Sequence, residues 1–263
     1  MNTPLSTYDA QRLLSGITPL ARDAGAKIMA YYQSDFEVRS KADASPVTGA
    51  DEAAEAIIIA GLKRLTPDIP IIAEEEAAAG RTADVSAGRF WLVDPLDGTK
   101  EFVNHRDEFT VNIGLIDNRK PVLGVVFAPA LDTLYAGAGP GTATVQRGSE
   151  AAKPMSARRM PATGAVVTAS RSHGDMEKIQ ELMDRHLIGE MKVVGSSIKF
   201  CLIAEGEADI YPRYGNTCEW DTAAAHAVLA AAGGSVRSLD GTPLPYNKDK
   251  FLNNEFIARG LDG

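Results

Sequence analysis

The sequence is poor in the residues that cross-link proteins or anchor them in membranes. It holds only two cysteines and four histidines in 263 residues, with no CxxC pair. This argues against a disulfide scaffold and a structural zinc site. A single disulfide between Cys201 and Cys218 stays open, although both residues are more typical of small buried hydrophobes. No apolar run approaches 18 residues, so no transmembrane segment is predicted.

A surplus of basic residues is also missing. Lysine and arginine number 27 against 35 acidic residues, a formal net charge of −8. This argues against a nucleic acid polymer or an anionic membrane as partner. A small anionic substrate remains compatible, because a bound divalent cation reverses the local field. The N-terminus lacks the basic and apolar regions of a signal peptide, so we expect a cytoplasmic protein. A peripheral place at the inner membrane and a homodimer stay open.

The composition is that of a globular protein, with 44% hydrophobic and 24% charged residues, and the length fits one large or two modest domains. Residues 149–163 are polar and aperiodic with two prolines, which indicates a junction. We therefore predict an α+β domain over residues 1–155, with an antiparallel sheet, and an α/β domain over residues 156–263.

Hydrophobic periodicity predicts the elements of both domains. In the first domain these are helices over 8–32 and 51–65, a loop or hairpin over 34–50, a loop over 77–88, a strand over 90–93 that stops at Asp94-Pro95, a hairpin of 109–116 with 122–127, and strands at 131–135 and 142–146. In the second they are strands at 164–169, 191–194, 208–212 and 234–237, and helices near 174–187, 197–206 and 221–232.

The most informative string is Trp91-Leu92-Val93-Asp94-Pro95-Leu96-Asp97-Gly98-Thr99-Lys100-Glu101-Phe102. Two carboxylates stand at the end of an apolar strand, and Gly98-Thr99 can open a helix whose N–H groups point outward. Carboxylate oxygens suit hard divalent cations, and N–H groups at a helix start suit phosphate oxygens. The alternative is a plain turn with an Asx cap.

Three further acidic positions have both a structural and a functional interpretation. Glu74, Glu75 and Glu76 form either a solvated charge run or a source of metal ligands. Asp51 follows Thr48 at the spacing of a capping box, which is typical of a helix start. Asp221 follows Trp220 and could be an N-cap.

Together these strings resemble the inositol monophosphatase superfamily of metal-dependent, lithium-sensitive phosphatases. Glu74-Glu75, the 91–102 string and Trp220-Asp221-Thr222-Ala223-Ala224-Ala225-His226 occur in the order of that family. The resemblance covers nearly the whole chain and implies a layered αβαβα sandwich. It also implies two or three Mg²⁺ ions, held by Glu74, Asp94, the Leu96 carbonyl, Asp97 and Asp221.

Within the family the chain is most similar to bacterial 3'(2'),5'-bisphosphate nucleotidases. The similar strings are residues 45–51, 97–102, 109–113, 170–173, 195–201 and 209–213. This resemblance implies a nucleotide substrate, adenosine 3',5'-bisphosphate, cleaved to AMP and phosphate. It extends to 3'-phosphoadenosine 5'-phosphosulfate and links the protein to sulfate assimilation.

The resemblance also implies roles for individual residues. Asp51 and Thr99 orient and deprotonate the attacking water, with Glu74 as a further catalytic residue. Substrate is bound by Gly98, Thr99, Lys100, His173, Ser196, Ser197, Lys199, Arg213 and Asp221. Each basic residue taken alone is more typical of a surface position, and His226 is more typical of packing.

Two alternative functions remain open. One is an inositol monophosphatase or another sugar or polyol phosphatase of the same superfamily. The other is a metal-dependent nucleotide-binding module without catalysis, against which the complete carboxylate set argues.

Overall fold

A computed structural model describes residues 5–34, 37–40, 46–171 and 187–261, together with residues 178, 181 and 184. The helices in this part of the chain are α1 (Thr7–Tyr32), α2 (Gly49–Leu65), α3 (Glu74–Ala78), α4 (Thr99–Val103), α5 (Ile198–Ala204) and α6 (Ala223–Ala231), with a 3₁₀ turn at Asp249–Phe251. The strands are β1 (Val38–Ser40), β2 (Pro46–Thr48), β3 (Ile71–Ala73), β4 (Arg89–Asp97), β5 (Thr110–Asp117), β6 (Lys120–Ala128), β7 (Thr133–Gly137), β8 (Thr144–Arg147), β9 (Lys153–Pro154), β10 (Ala165–Ala169), β11 (Ile188–Val193), β12 (Ile210–Arg213), β13 (Thr217–Cys218), β14 (Ser235–Ser238), β15 (Leu252–Asn253) and β16 (Phe256–Arg259).

A seven-stranded sheet forms the centre of the first half, in the order β3-β4-β5-β6-β7-β8-β9. The β3–β4 pair is parallel and the other pairs are antiparallel. Helices α1 and α2 bury their apolar faces in the main hydrophobic core with residues of β4, β5 and β6. Continuous burial along β5 reflects helices on both faces of this sheet.

A row of glycines lets helix α6 lie directly on the other face of the sheet. Gly114, Gly124 and Gly137 are paired across β5, β6 and β7. A Cβ on Gly124 would stand 2.3 Å from the Ala224 carbonyl oxygen, so only glycine permits this approach. The contact fixes the start of α6, and the residues just before it, against the middle of the sheet.

A five-stranded sheet, β11-β10-β12-β16-β14, forms the second half. Residues of α5 and α6 share a buried cluster with residues of both sheets, so these helices lie between the two sheets. The described residues therefore stack as helices, sheet, helices and sheet, which confirms the predicted layered fold class. Of the helix predicted near 174–187, only residues 178, 181, 184 and 187 are among the described residues.

Most predicted elements are present, with two corrections. Strand β4 does not stop at Asp94-Pro95 but continues to Asp97. The region after the acidic triplet is not entirely loop, because the helix Glu74–Ala78 extends into it. The seven-stranded sheet uses residues 71–154 and the five-stranded sheet residues 165–259, while the domain division at 155/156 stays a prediction.

The two cysteines form no disulfide: Cys201 is buried and Cys218 is half-buried. Among the described residues, no helix combines the length and apolar character needed to cross a membrane. The cytoplasmic location and the open question of a homodimer stay as they were predicted from sequence.

Candidate active site

A bulge in β4 brings Asp94 and Asp97 to the same face of the sheet. Residues three apart on a regular strand point to opposite faces. Here Asp94 pairs with Asn112 and Asp97 pairs with Thr110, so β4 holds one residue more than β5 between these pairs. Pro95 lies in this irregular stretch, where it needs no ladder hydrogen bond. The Leu96 N–H donates to Asp94 Oδ1 at 3.0 Å, which fixes the turn.

Asp51 closes a capping box and also faces Thr99. Its Oδ2 accepts hydrogen bonds from the Thr48 N–H at 2.8 Å and from Thr48 Oγ1 at 2.7 Å, as in a capping box. Its Oδ1 faces Thr99 Oγ1 at 3.3 Å, and that hydroxyl also lies 3.1 Å from the Leu96 carbonyl oxygen. The cap and the site use different oxygens of the same buried carboxylate.

Asp221 reaches the site from the second half of the chain. Helix α6 begins at Ala223, and its N-cap is Thr222, so the N-cap interpretation of Asp221 is wrong. Instead, Asp221 Oδ2 accepts a hydrogen bond from the Cys218 N–H at 2.9 Å. The close seat of α6 on the glycine row brings Asp221 beside the end of β4.

Burial and mutual repulsion show that the acids of both halves converge. Burial, and then the charges of Glu74, Asp97 and Asp221, raise the pKa of Asp94 well above its usual range. Burial, followed by Asp97 and Glu74, does the same to the pKa of Asp221. Burial raises the pKa of Asp97 to about 6, although Lys199 opposes this shift. Like charges this close favour either a proton or a cation between them.

The donor set fits a hard divalent cation. The four acidic side chains, Glu74, Asp94, Asp97 and Asp221, offer carboxylate oxygens, which Mg²⁺ prefers. Backbone N–H groups engage one oxygen each of Asp94, Asp97 and Asp221. In the part of the chain that the structure describes, no three acidic, histidine or cysteine side chains already chelate a single point. The oxygen donors and the clustered negative charge therefore support a metal site, whereas the coordination geometry does not by itself define one.

Glu55 is a site-supporting residue that was not predicted. Its carboxylate accepts hydrogen bonds from the N–H groups of Glu75 at 2.8 Å and Glu76 at 3.0 Å. These bonds hold the first turn of α3, which begins with Glu74. Burial raises the pKa of Glu55 to about 7. Its position four residues after Asp51, on the same face of α2, was the available sequence signal.

Ser197 joins the two halves of the chain. Its N–H donates to Asp97 Oδ2 at 2.5 Å, and its hydroxyl lies 2.8 Å from Asn112 Oδ1 and 2.9 Å from Thr110 Oγ1. The Ser197 side chain is buried, so its hydroxyl faces β5. Thr110 and Asn112 were not predicted as site residues. They alternate on β5 directly opposite Asp97 and Asp94, which is the signal that marks them.

Two basic side chains are buried at this cleft rather than exposed on the surface. Lys199 Nζ donates to the carbonyl oxygens of Val194 at 3.2 Å and Ser196 at 2.5 Å. Burial lowers the pKa of Lys199 to about 8. Arg213 Nε and Nη2 donate to the carbonyl oxygens of Gly215 at 3.2 Å and Asn216 at 2.7 Å. Both cations are therefore locked in place by backbone acceptors.

These groups line a cleft of about 270 Å³. Gly98 has φ +91° at the entrance to α4, a conformation that favours glycine, and Ser196 has φ +47°. Lys100 is exposed at the rim. The predicted residues on the wall are Glu74, Asp97, Gly98, Thr99, Lys100, Ser196, Ser197, Lys199, Arg213 and Asp221. The predicted His173 lies outside the described residues.

His226 and Trp220 are not among the residues that line the cleft. His226 is buried, and its Nδ1 lies 3.0 Å from the Tyr246 hydroxyl. Burial lowers the pKa of His226 to about 3, so the ring is neutral. Trp220 packs near Phe251, with ring centroids 6.3 Å apart. Both positions agree with packing rather than ligation.

Two sheets with helices between them, and a cleft lined by acidic and basic side chains where β4 meets the start of α6, define a layered αβ protein. A family model described as "Inositol monophosphatase family" matches residues 9–260. The chain belongs to the inositol monophosphatase family.

Individual relatives agree with this assignment. The chain is 47% identical, over 93% of its length and 98% of the relative, to the "3'(2'),5'-bisphosphate nucleotidase CysQ" of Escherichia coli O6:H1. The crystal structure of CysQ from Bacteroides thetaiotaomicron matches with a TM-score of 0.81 and 35% identity, covering 96% of this chain and 98% of that one. The inositol monophosphatase from Anabaena matches with a TM-score of 0.76 and 27% identity, covering 95% and 91%.

Proposed function

We propose that the chain is a Mg²⁺-dependent phosphomonoesterase that removes the 3'-phosphate of adenosine 3',5'-bisphosphate, giving AMP and phosphate. The observation that carries this proposal is a single cleft lined by acidic groups and by two buried cations. The name of the Escherichia coli relative supports it. The same cleavage of 3'-phosphoadenosine 5'-phosphosulfate would yield adenosine 5'-phosphosulfate.

Glu74, Asp94, the Leu96 carbonyl, Asp97 and Asp221 would hold two or three Mg²⁺ ions. When bound, the metal supplies Lewis acidity toward phosphoryl oxygens and lowers the pKa of coordinated water. Electrostatic repulsion among the four carboxylates favours this occupancy, because a cation relieves the cost that raises the pKa values of Asp94 and Asp221.

Asp51 and Thr99 form the proton-handling pair. The Thr99 hydroxyl lies within reach of Asp51 Oδ1 and of the Leu96 carbonyl, so it can accept a proton from water while passing its own to the carboxylate. The capping bonds from Thr48 hold Asp51 in one rotamer. The pair orients the attacking water in line with the bond that breaks.

Backbone N–H groups at Gly98 and Thr99 complete the reacting end. The left-handed conformation of Gly98 turns the chain from β4 into α4 and leaves the first N–H groups of that turn without helical partners. Preorganised donors of this kind stabilise charge that develops on phosphoryl oxygens.

Lys199 and Arg213, with Ser196 and Lys100, would bind the second phosphate of the substrate. The second phosphate of a bisphosphate lies away from the reacting one and needs its own positive charge. Lys199 and Arg213 supply that charge within the same cleft as the acids. Hydrogen bonds from the two side chains to backbone carbonyl oxygens hold the charged groups in fixed positions. This preorganisation lowers the entropy cost of binding a phosphate.

Phosphate release across a substrate panel tests the proposal. The panel holds adenosine 3',5'-bisphosphate, 3'-phosphoadenosine 5'-phosphosulfate, inositol 1-phosphate, fructose 1,6-bisphosphate and AMP, each with Mg²⁺ and after chelation. We expect the 3'-phosphorylated nucleotides to be turned over fastest and chelation to abolish release. Faster turnover of inositol 1-phosphate would favour a polyol phosphatase. Tight nucleotide binding without phosphate release would favour a binding module.

A further inference from the structure

A buried carboxylate that the proposed chemistry does not use lies two residues before Asp221. Glu219 is completely buried. Its Oε1 accepts from the Lys248 N–H at 2.9 Å and from Lys248 Nζ at 2.6 Å, and its Oε2 accepts from the Asn247 N–H at 2.8 Å. Three donors from one short segment thus converge on a single side chain.

The backbone of Glu219 forms the turn that carries Asp221. Its carbonyl oxygen accepts hydrogen bonds from the N–H groups of Thr222 at 3.2 Å and Ala223 at 2.9 Å. Its own N–H donates to the Phe251 carbonyl at 2.7 Å. Asp221 is therefore enclosed in a turn whose first residue is anchored by both its side chain and its backbone.

Asn253 secures the other side of the same turn. Its Nδ2 lies 2.8 Å from the Cys218 carbonyl oxygen and 3.1 Å from both Thr217 Oγ1 and Thr222 Oγ1. Its Oδ1 accepts from Lys248 Nζ at 3.1 Å. The side chains of Glu219, Lys248 and Asn253 thus form one network, which we call the C-terminal clamp.

The segment held by the clamp adopts a costly backbone conformation. Asn247, Lys250 and Phe251 have φ values of +61°, +52° and +54°. Asparagine adopts such a conformation readily, whereas lysine and phenylalanine do so rarely and need surrounding contacts to hold them there. Hydrogen bonds to Glu219 are contacts of this kind: its carboxylate accepts from the N–H groups of Asn247 and Lys248, and its own N–H donates to the Phe251 carbonyl.

A contribution to protein stability alone does not account for the buried ion pair of Glu219 and Lys248. Well-packed apolar side chains of the same volume are commonly as stabilising as a buried ion pair. A hydrogen-bonded charge also fixes the groups it contacts in one position. Groups that orient a metal-binding side chain in this way change the affinity for the metal.

We propose that Glu219 is a positioning residue for Asp221: together with Lys248 and Asn253, it clamps residues 247–253 to residues 217–222 and fixes the Asp221 carboxylate for Mg²⁺. The inference rests on the proposed metal site. It assigns no contact with substrate to Glu219, whose effect passes through Asp221.

Metal affinity measured without substrate tests the clamp. Mn²⁺, which shares the preference of Mg²⁺ for oxygen ligands, is titrated by calorimetry into chelator-treated wild type, Glu219→Gln and Asn253→Ala. We expect both variants to lose about 10- to 100-fold in Mn²⁺ affinity, the usual range for groups that orient a metal ligand. At saturating metal, the KM for the bisphosphate should stay within about threefold of wild type, because the clamp does not bind substrate.

Asp209→Asn is the matched control. Asp209 is also a buried carboxylate that accepts from a backbone N–H, at Val166, and from a basic side chain, Arg158, but it lies in the five-stranded sheet region. Loss of its charge should lower the melting temperature and leave Mn²⁺ affinity within about twofold of wild type. An equal loss of affinity in Asp209→Asn would reduce Glu219 to a general contributor to stability.

Wild-type Mn²⁺ affinity in folded Glu219→Gln and Asn253→Ala would overturn the proposal. If Glu219→Gln fails to fold, Asn253→Ala decides alone, since it removes the bonds to Thr217, Cys218 and Thr222 and leaves no buried charge without a partner. A wild-type protein that binds Mn²⁺ but hydrolyses nothing in the panel would refute the proposed activity while leaving the clamp standing. A wild-type protein that binds no Mn²⁺ would overturn the metal site, and the clamp with it.

Discussion

Replacing Asp97 by asparagine should stabilise the metal-depleted protein while abolishing its activity. Burial raises the pKa of Asp97 from 3.8 to about 6. Because the pKa of Asp97 is higher in the folded than in the unfolded protein, the folded protein is stabilised while Asp97 is protonated. This stability is fully present below about pH 4 and is lost as the pH rises through 6. At pH 8 the chelated wild type therefore carries the full cost of an ionised Asp97, which asparagine removes. Its amide oxygen can still accept from the Ser197 N–H.

The size of this effect follows from the pKa. A pKa that rises from 3.8 to about 6 means that ionised Asp97 lowers the free energy of unfolding by roughly 3 kcal/mol at pH 8 and by less than about 1 kcal/mol at pH 4. For a chain of this length, about 2–4 °C per kcal/mol predicts a rise in melting temperature of roughly 6–12 °C at pH 8. Scanning calorimetry of both proteins in chelator at pH 4 and pH 8 measures it.

Asp117→Asn is the matched control, because Asp117 is also buried but pairs with Arg89 at 2.7 Å. Asp117→Asn removes the charge that pairs with Arg89, so it should lower the melting temperature at pH 8. Added Mg²⁺ should stabilise wild type more than Asp97→Asn, which has one ligand less. A melting temperature for Asp97→Asn at or below wild type at pH 8 would refute the view that burial makes an ionised Asp97 costly in the metal-depleted protein.

Three further predictions concern catalysis and specificity. Asp94→Asn should keep the fold and lose at least about 10³-fold in kcat, because this buried carboxylate interacts with all three other acids; near-normal phosphate release would mean that the wrong carboxylate is assigned. Thr99→Val should lower kcat by about 10²- to 10⁴-fold with a small change in KM, since it removes the hydroxyl facing Asp51; a change in KM alone, measured by steady-state kinetics, would contradict the proton-handling role. Lys199→Ala and Arg213→Ala should raise the KM for the bisphosphate roughly 10- to 150-fold, the equivalent of about 1.5–3 kcal/mol, and spare inositol 1-phosphate if it is turned over. Equal losses on both substrates would assign these residues a structural role.

Features encoded over a few residues were predictable from sequence. The capping box of Thr48 and Asp51 follows from their spacing, and the turn at Asp97-Gly98-Thr99 follows from glycine and the short polar residues. Helix α1, helix α2 and the β5–β6 hairpin follow from apolar periods of 3.6 and 2. Each depends on interactions within one element or between adjacent ones.

Two local predictions failed because distant groups decide them. Pro95 ends a regular ladder, yet β4 continues through it because β5 pairs on both sides of the bulge. The loop predicted over 77–88 starts too early, because α3 extends to Ala78 and Glu55 of α2 accepts hydrogen bonds from the N–H groups of its first turn. Both contacts join residues that are distant in sequence, so they are decided only when the strands and helices pack together.

The sequence by itself determined most of the elements, the family resemblance and the positions of the acidic and basic residue types suited to cations and phosphates. Only the tertiary structure decided which of them meet. The glycine row of β5, β6 and β7 lets α6 approach the sheet and bring Asp221, far along the chain, to Asp94 and Asp97. The tertiary structure also buries Lys199 and Arg213 against backbone carbonyls, whereas each residue taken alone is more typical of a surface position. The physical reason is that repulsion, burial and close packing act between residues near in space, whereas periodicity and capping act between residues near in sequence.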